Sequence, residues 1–206
     1  MHSSELNLTK ETKISKNAKK ALFIIFFISL VLFSKFAPYG NTQLIADTID
    51  KKIFTLYFFI VNQTLGIVHE GGHGVCYLLH CPEFFTAANG TIFQLLFPFL
   101  IGYYYKKKKH IFKWLIAIFF LGISLHYTAW YISTADQGLF LPANKSFLGV
   151  DGKHDFNYIL SSLNILKYNH LISGIFRFIA FCIMIYSVVY MFLLAFFTHE
   201  KINTKS

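Results

Sequence analysis

Long apolar segments alternate along the chain with short polar ones. Most of the apolar segments are close to the length of about 20 residues with which a helix crosses a bilayer. Five of them can be distinguished, at residues 21–37, 53–79, 92–105, 111–132 and 172–197. This pattern predicts an all-α fold, a polytopic membrane bundle of about five transmembrane helices.

The third apolar segment is ambiguous because it holds only fourteen residues, 92–105. A polar break precedes it and contains Pro82 and the turn-forming pair Asn89 and Gly90. The segment crosses the bilayer if residues 84–91 join it, and it re-enters on the same side if they do not. We therefore predict a short re-entrant or turn segment after the second helix.

Polar tails flank the apolar part of the chain. Residues 1–20 form a basic amino-terminal tail with five lysines, and residues 199–206 form a second polar tail. Neither a repeat nor a low-complexity linker divides the part between them. We predict a single membrane-embedded domain over residues 21–198.

The composition agrees with a membrane protein and excludes a soluble one. Of the 206 residues, 55% are hydrophobic and 14% are charged, whereas about a quarter of the residues of soluble proteins are charged. The three cysteines, Cys76, Cys81 and Cys182, are too few for a disulfide framework and leave at least one thiol unpaired.

The formal net charge of +9 does not indicate a nucleic-acid partner. The cations are eighteen lysines and one arginine, scattered in tails and short loops rather than along one stripe. Lysines in such places interact with anionic lipids, so we predict membrane lipids as partners. With five spans the lysines divide eight against eight between the two membrane faces, which leaves the orientation open.

One carboxylate lies inside an apolar segment. Nine of the ten acidic residues lie in tails, in loops or at segment ends, and the exception is Glu70. An ionisable side chain inside a span costs at least about 2.5 kcal/mol on insertion scales, so it faces the bundle interior and marks a functional site.

The neighbours of Glu70 indicate the kind of site. His69, Glu70 and His73 form an H-E-x-x-H pattern, in which two imidazoles four residues apart lie on one helix face and bind a single Zn²⁺. The carboxylate beside them serves as the general base for a zinc-bound water. The alternative is a histidine pair that only forms hydrogen bonds between helices.

A third ligand has to come from downstream. Asp136 is our first choice, because it is attached to the end of the fourth segment and a helix end holds a ligand well. His154 or Asp155 is the next choice, either as a ligand or as a group that polarises the substrate carbonyl. Asp151 is a further alternative.

Taken together, these residues resemble the site-2-protease class of intramembrane zinc metalloproteases. The resemblance lies in the H-E-x-x-H helix, in Asn89, Gly90 and Thr91 followed by Gln94 and Pro98, and in a late aspartate. More narrowly, residues 68–168 resemble a group of small bacterial membrane proteins. Their pattern joins HEGGH, Gly-Thr-x-x-Gln-Leu-x-x-Pro, Tyr-Ile-x-x-Ala-Asp, Leu-Pro and His-Asp-aromatic.

The resemblance implies that His69 and His73 bind zinc and that Glu70 is catalytic. The protease class places its third ligand in an Asn-x-x-Pro-x-x-x-Leu-Asp-Gly segment. Residues 144–152 match only its Asn and its Asp-Gly, with one residue fewer, no proline and Val150 in place of leucine. The third ligand therefore stays open among the candidates named above.

We predict an integral membrane zinc metalloprotease, in the cytoplasmic membrane of a bacterium, that hydrolyses a peptide bond of a membrane-associated protein or peptide. Glu70 would be the general base and His154 would stabilise the oxyanion. Two alternatives remain, a membrane zinc hydrolase that acts on a lipid or small amphiphile and a non-catalytic metal-binding assembly protein.

Overall fold

The computed structural model describes residues 14–36, 48–141 and 152–197. This part of the chain is almost entirely helical, which confirms the predicted all-α class. The helices are α1 (Lys16–Phe36), α2 (Ile49–Leu78), α3 (Glu83–Lys107), α4 (Ile111–Ser133), α5 (Asp155–Ser162) and α6 (Asn169–Phe196). Short 3-10 turns lie at Ala135–Gln137 and Leu166–Tyr168, and β1 (Phe140–Leu141) pairs antiparallel with β2 (Gly152–Lys153).

Three helical segments are long and apolar enough to cross a membrane, which indicates a membrane protein. They are α3, α4 with the turn that follows it, and α6 with the turn that precedes it. Of the five predicted spans, three are thus confirmed in length and composition. The short third apolar segment belongs to the 25-residue helix α3, which begins at Glu83 and takes in residues 84–91.

The predicted domain limits fall close to the ends of the helices. Helix α1 begins at Lys16, so the last residues of the predicted amino-terminal tail are helical. Helix α6 ends at Phe196, and the predicted tail at residues 199–206 lies outside the described residues.

Helices α4 and α6 form the centre of the bundle. They run antiparallel, and serine hydroxyls donate hydrogen bonds between them, from Ser187 Oγ to the Leu115 carbonyl at 2.7 Å and from Ser173 Oγ to the Ala129 carbonyl at 2.6 Å. Gly122 allows this close approach, because a Cβ there would lie 2.4 Å from Met184 Cγ. Small residues and interhelical hydrogen bonds are the usual basis of helix association in membranes.

Helix α1 packs against this pair through aromatic rings. The ring of Phe26 lies 4.8 Å from Phe119, and the ring of Phe33 lies 5.1 Å from His126. Both pairs step forward by seven residues, so α1 runs parallel to α4. The start of α2 packs on the end of α1, where Phe54 lies 5.6 Å from Phe33.

Helices α2 and α3 form a tight hairpin. A disulfide between Cys76 and Cys81 closes the turn that connects them, and Cys182 is the free thiol. This agrees with the expectation of at least one unpaired cysteine. The helices touch at Gly72, whose carbonyl accepts a hydrogen bond of 2.6 Å from Asn89 Nδ2. A Cβ on Gly72 would lie 2.4 Å from the Asn89 carbonyl oxygen, so only glycine fits here.

The contact at Gly122 can be tested by adding one methyl group. We expect Gly122→Ala to destabilise the protein by about 1–3 kcal/mol, because the new Cβ overpacks the interface of α4 with α6. The control is Gly174→Ala, since a Cβ there meets nothing within 4 Å. Thermal unfolding in detergent measures both, and equal melting temperatures for the two variants would contradict the packing.

Candidate metal centre

Two histidines of α2 and one aspartate of α5 meet in the interior of the described bundle. His69 Nε2 lies 3.1 Å from His73 Nε2, and Asp155 Oδ2 lies 3.0 Å from the first nitrogen and 3.2 Å from the second. The helical spacing of four residues places both imidazoles on one face of α2, as predicted. The side chains of all three residues are nearly buried.

The opposite nitrogens of the two histidines are held by acceptors. His69 Nδ1 lies 3.2 Å from Gln94 Oε1, and His73 Nδ1 lies 2.7 Å from the carbonyl oxygen of Thr86. The amide of Gln94 is oriented by its Nε2, which donates to the carbonyl and hydroxyl of Ser124. Each histidine Nδ1 therefore carries a hydrogen, and in the neutral form of the ring each Nε2 presents a lone pair.

This tautomer leaves three acceptor atoms facing one another. Two neutral imidazole nitrogens and a carboxylate oxygen can share a position only with a cation or an additional proton between them. Zinc binds nitrogen and oxygen at about 2.0–2.1 Å in a tetrahedron, which separates its ligands by about 3.3 Å. The observed separations of 3.0–3.2 Å fit such an ion.

Asp155 is positioned by its place in the chain and by one tyrosine. It is the first residue of α5, and its backbone N–H donates to Tyr131 Oη at 3.2 Å. The hydroxyl of Tyr131 in turn donates to Asp155 Oδ2 at 3.3 Å. Burial raises the pKa of Asp155, but its contacts with His69 and His73 outweigh burial, and the pKa lies below its ordinary value. The carboxylate is therefore ionised at neutral pH.

Gly90 of α3 forms the wall on the other side of the two imidazoles. A Cβ at this position would lie 2.6 Å from both His69 Nε2 and His73 Nε2. Any larger residue would occupy the space beside the lone pairs, so glycine keeps that space open. By contrast, a Cβ on Gly71 meets nothing within 4 Å. Of the two central glycines of HEGGH, only Gly72 therefore lies where a side chain would not fit.

Glu70 is half-buried beside the cluster. Its carboxylate interacts electrostatically with His73 and with Tyr127. Because it follows His69 directly on the helix, it lies about 100° around the α2 axis from that ligand. The Glu70 carboxyl group therefore lies next to the cluster, and none of its atoms is among the three that form it.

The structure does not bring the preferred third ligand, Asp136, to the cluster. Asp136 is exposed and its Oδ2 lies 3.1 Å from Nε2 of His170. Asp155, which the sequence offered as an alternative, takes that place because α5 folds back against the end of α4. Asp151, the remaining aspartate alternative, lies outside the described residues.

His154 is also outside the cluster, and its geometry fits a structural role. Its Nδ1 accepts from the backbone N–H of Asn157 at 3.4 Å and caps α5, while its Nε2 lies 3.1 Å from Thr134 Oγ1. The ring stacks on Tyr131 at 4.4 Å. Burial lowers the pKa of His154 to about 4, so the ring is neutral. Both ring nitrogens of His154 thus have hydrogen-bond partners within the protein, and neither one faces the cluster as a metal ligand or an oxyanion donor would.

Several residues that build the metal centre were assigned no place in it from the sequence. Gln94, Gly90 and Tyr131 belonged to the motifs that resemble known proteins, but their contacts with His69, His73 and Asp155 could not be read from spacing. An amide inside an apolar helix was the available signal for Gln94, which is 1% exposed. Thr86 contributes only its backbone carbonyl, for which side-chain chemistry offers no signal.

Comparison with protein-family models, with curated proteins and with solved structures finds no match for this chain. The functional argument therefore depends on the geometry of the site.

The identity of the third ligand can be tested with a matched pair of variants. We expect Asp155→Ala to lower zinc affinity more than about 100-fold, since even the residues that orient metal ligands contribute about 10–100-fold. Asp136→Ala removes an exposed carboxylate and should leave affinity unchanged. Zinc titration of the purified proteins measures both. Loss of zinc binding in the Asp136 variant alone would show that Asp136, and not Asp155, is the third ligand.

The space at Gly90 allows a second test. We expect Gly90→Ala to prevent zinc from binding, because its methyl group would lie beside both Nε2 atoms. Gly71→Ala, on the same helix as the histidines but in open space, should bind zinc like the parent. Metal content by mass spectrometry, with circular dichroism to confirm folding, distinguishes the two. Full zinc in a folded Gly90 variant would contradict the site.

Proposed function

We propose that this protein is a membrane-embedded zinc metallopeptidase that hydrolyses a peptide bond of a membrane-associated substrate. The observation that carries the proposal is the convergence of His69 Nε2, His73 Nε2 and Asp155 Oδ2 within 3.2 Å of one another. An H-E-x-x-H helix with a third ligand from elsewhere in the chain is the usual framework of zinc peptidases.

The contacts around these three atoms are of the kind that usually surround zinc ligands, which supports the proposal. Ligand histidines in metalloproteins donate their second N–H to a carbonyl or carboxylate, which holds the ring and its tautomer. Gln94 and Thr86 provide such acceptors for His69 and His73. Tyr131 has the corresponding contact with Asp155. All three supporting residues lie in α3 or α4, so neighbouring helices orient the side chains that α2 and α5 contribute to the cluster.

Glu70 supplies the acid–base chemistry of the proposal. Zinc, when bound in such a site, lowers the pKa of a coordinated water to about 7. Glu70 accepts a proton from the attacking water, whose oxygen forms the new bond to the peptide carbon. The same carboxyl group then gives a proton to the leaving nitrogen as the C–N bond breaks. The step thus consumes one water and yields one carboxylate and one amine.

The membrane setting supports a membrane-associated substrate. Three described helices are apolar enough to span a bilayer, and the cluster lies between two of them and α2. We place the protein in the cytoplasmic membrane of a bacterium, with lipids as its immediate partners, on the basis of the resemblance to small bacterial HEGGH proteins.

The role of Glu70 can be tested without knowing the substrate. We expect Glu70→Gln to keep zinc and to reduce peptide cleavage at least about 100-fold, since general-base catalysis contributes about 10²–10⁴. New peptide amino termini, quantified by mass spectrometry of membranes from cells that produce each variant, provide the measurement. The control is Glu83→Gln, an exposed glutamate paired with Lys153.

The same experiment separates the proposed peptidase from the alternatives. New termini that appear in the parent and the Glu83 variant, but not in the Glu70 variant, support the peptidase. Equal termini in all three contradict it. A lipid that changes in the parent without any new terminus would replace the peptidase with a lipid hydrolase.

A further inference from the structure

We propose that the metal centre lies near the non-cytoplasmic, oxidising face of the membrane, and that the substrate is a polypeptide segment at that face. The placement of the site follows from helix directions, charges and the disulfide. Only the identity of the substrate as a polypeptide rests on the proposed function above.

The directions of the helices place four of their ends together. Helix α1 runs parallel to α4, and α6 runs antiparallel to α4, as their contacts above establish. Helix α3 is also antiparallel to α4, because Gln94 Nε2 donates to Ser124 while Gly102, later in α3, lies against Ala117, earlier in α4. The start of α1, the end of α3, the start of α4 and the end of α6 therefore share one end of the bundle, which we call the lysine end.

Helix α2 does not extend to the lysine end. Phe54, near its start, packs on Phe33, which contacts His126. His69 follows fifteen residues later, or about 22 Å of helix, yet it is joined through Gln94 to Ser124. Both parts of α2 thus lie at the same level of α4, and the helix runs across the bundle.

This path changes the number of crossings. With α2 entering and leaving on the same side, the three apolar segments of α3, α4 and α6 and helix α1, which runs alongside α4, make four crossings in place of the five predicted from the sequence. The re-entrant element is then α2 and not the segment that follows it. In this topology the two ends of the bundle differ in charge, which the five-span count did not reveal.

The lysine end has a strong positive charge. Among the described residues it carries eight lysines and no acidic residue: Lys16, Lys19, Lys20, Lys106, Lys107, Lys108, Lys109 and Lys113. At the opposite end the described residues include five lysines, Lys35, Lys51, Lys52, Lys153 and Lys167, and Arg177 lies about two turns inside α6, which begins at that end. Lysine-rich ends of transmembrane helices remain in the cytoplasm, so the opposite end faces outward.

The disulfide provides a second and independent indication. Cys76 lies in the last turn of α2 and Cys81 in the turn that leads to α3, at the end opposite the lysines. Disulfides persist in oxidising compartments and are rare in the cytosol. The turn also adjoins the site, because Thr86 accepts from His73 through its carbonyl and donates from its hydroxyl towards the Cys81 carbonyl at 3.4 Å. Charge and disulfide thus assign the same face to the outside.

The site lies close to that face. Tyr131, which holds Asp155, is two residues from the end of α4, or about 3 Å along the helix axis. Asp155 itself belongs to the connection between two spans and not to a span. The cluster therefore lies nearer to the outer membrane surface than to the lysine end of the bundle.

Three variants test the orientation. Each has one added cysteine in a Cys182→Ala background that keeps the disulfide of Cys76 and Cys81. Lys16→Cys and Lys108→Cys lie at the lysine end and Lys167→Cys at the other, and all three positions are exposed. We expect a membrane-impermeant maleimide to label only Lys167→Cys in intact cells, and all three after permeabilisation. Labelling of Lys108→Cys in intact cells would overturn the orientation. Labelling of both Lys16→Cys and Lys167→Cys would restore five spans.

The Cys182→Ala protein also tests the disulfide directly. We expect no reactive thiol after denaturation without reductant and two after reduction. Two thiols without reductant would overturn the assignment of this turn to the oxidising side. These measurements need neither zinc nor catalysis. A failure here is therefore distinct from a failure of the proposed peptidase, which the Glu70→Gln comparison detects.

Discussion

The main constraint on the site is that two imidazole nitrogens and a carboxylate oxygen, which repel one another, are held about 3 Å apart. Burial removes the water that would otherwise separate and screen them. A cation or an additional proton between them would turn this repulsion into attraction, which is the basis of the proposed metal site. The surrounding contacts serve to prevent the three groups from turning away. Gln94 and the Thr86 carbonyl hold the rings, and Tyr131 holds the carboxylate.

The close packing of α2 on α3 follows from the same requirement. The supports of both rings come from α3, so that helix has to approach α2 within the reach of an amide and a backbone carbonyl. Gly72 removes the side chain that would keep the helices apart, and Gly90 removes one that would fill the position between the rings. The disulfide at the turn fixes the same hairpin at its end. Glycine is needed at these two positions for space rather than for an unusual backbone conformation.

Local features of the sequence predicted the site's first half. On any helix, the spacing of His69 and His73 places both side chains on one face. A carboxylate such as Glu70 is rare within an apolar segment and therefore indicates a functional site in a membrane protein. The choice between Asp136 and Asp155 depended on the path of a connection of about twenty residues, and periodicity contains no information on such a path. The capping role of His154 likewise depends on where α5 begins.

The order of the ligands along the chain has a consequence for biogenesis. His69 and His73 are separated by four residues, but Asp155 follows His73 by 82. A ribosome that has completed the HEGGH helix has therefore made only two ligands, and α3, α4 and the start of α5 must still be synthesised and inserted. The nascent chain cannot bring the three groups together before α2, α3 and α4 exist. In the proposed peptidase, hydrolysis can therefore begin only after the first residues of α5 have been made, when α2, α3 and α4 are already present.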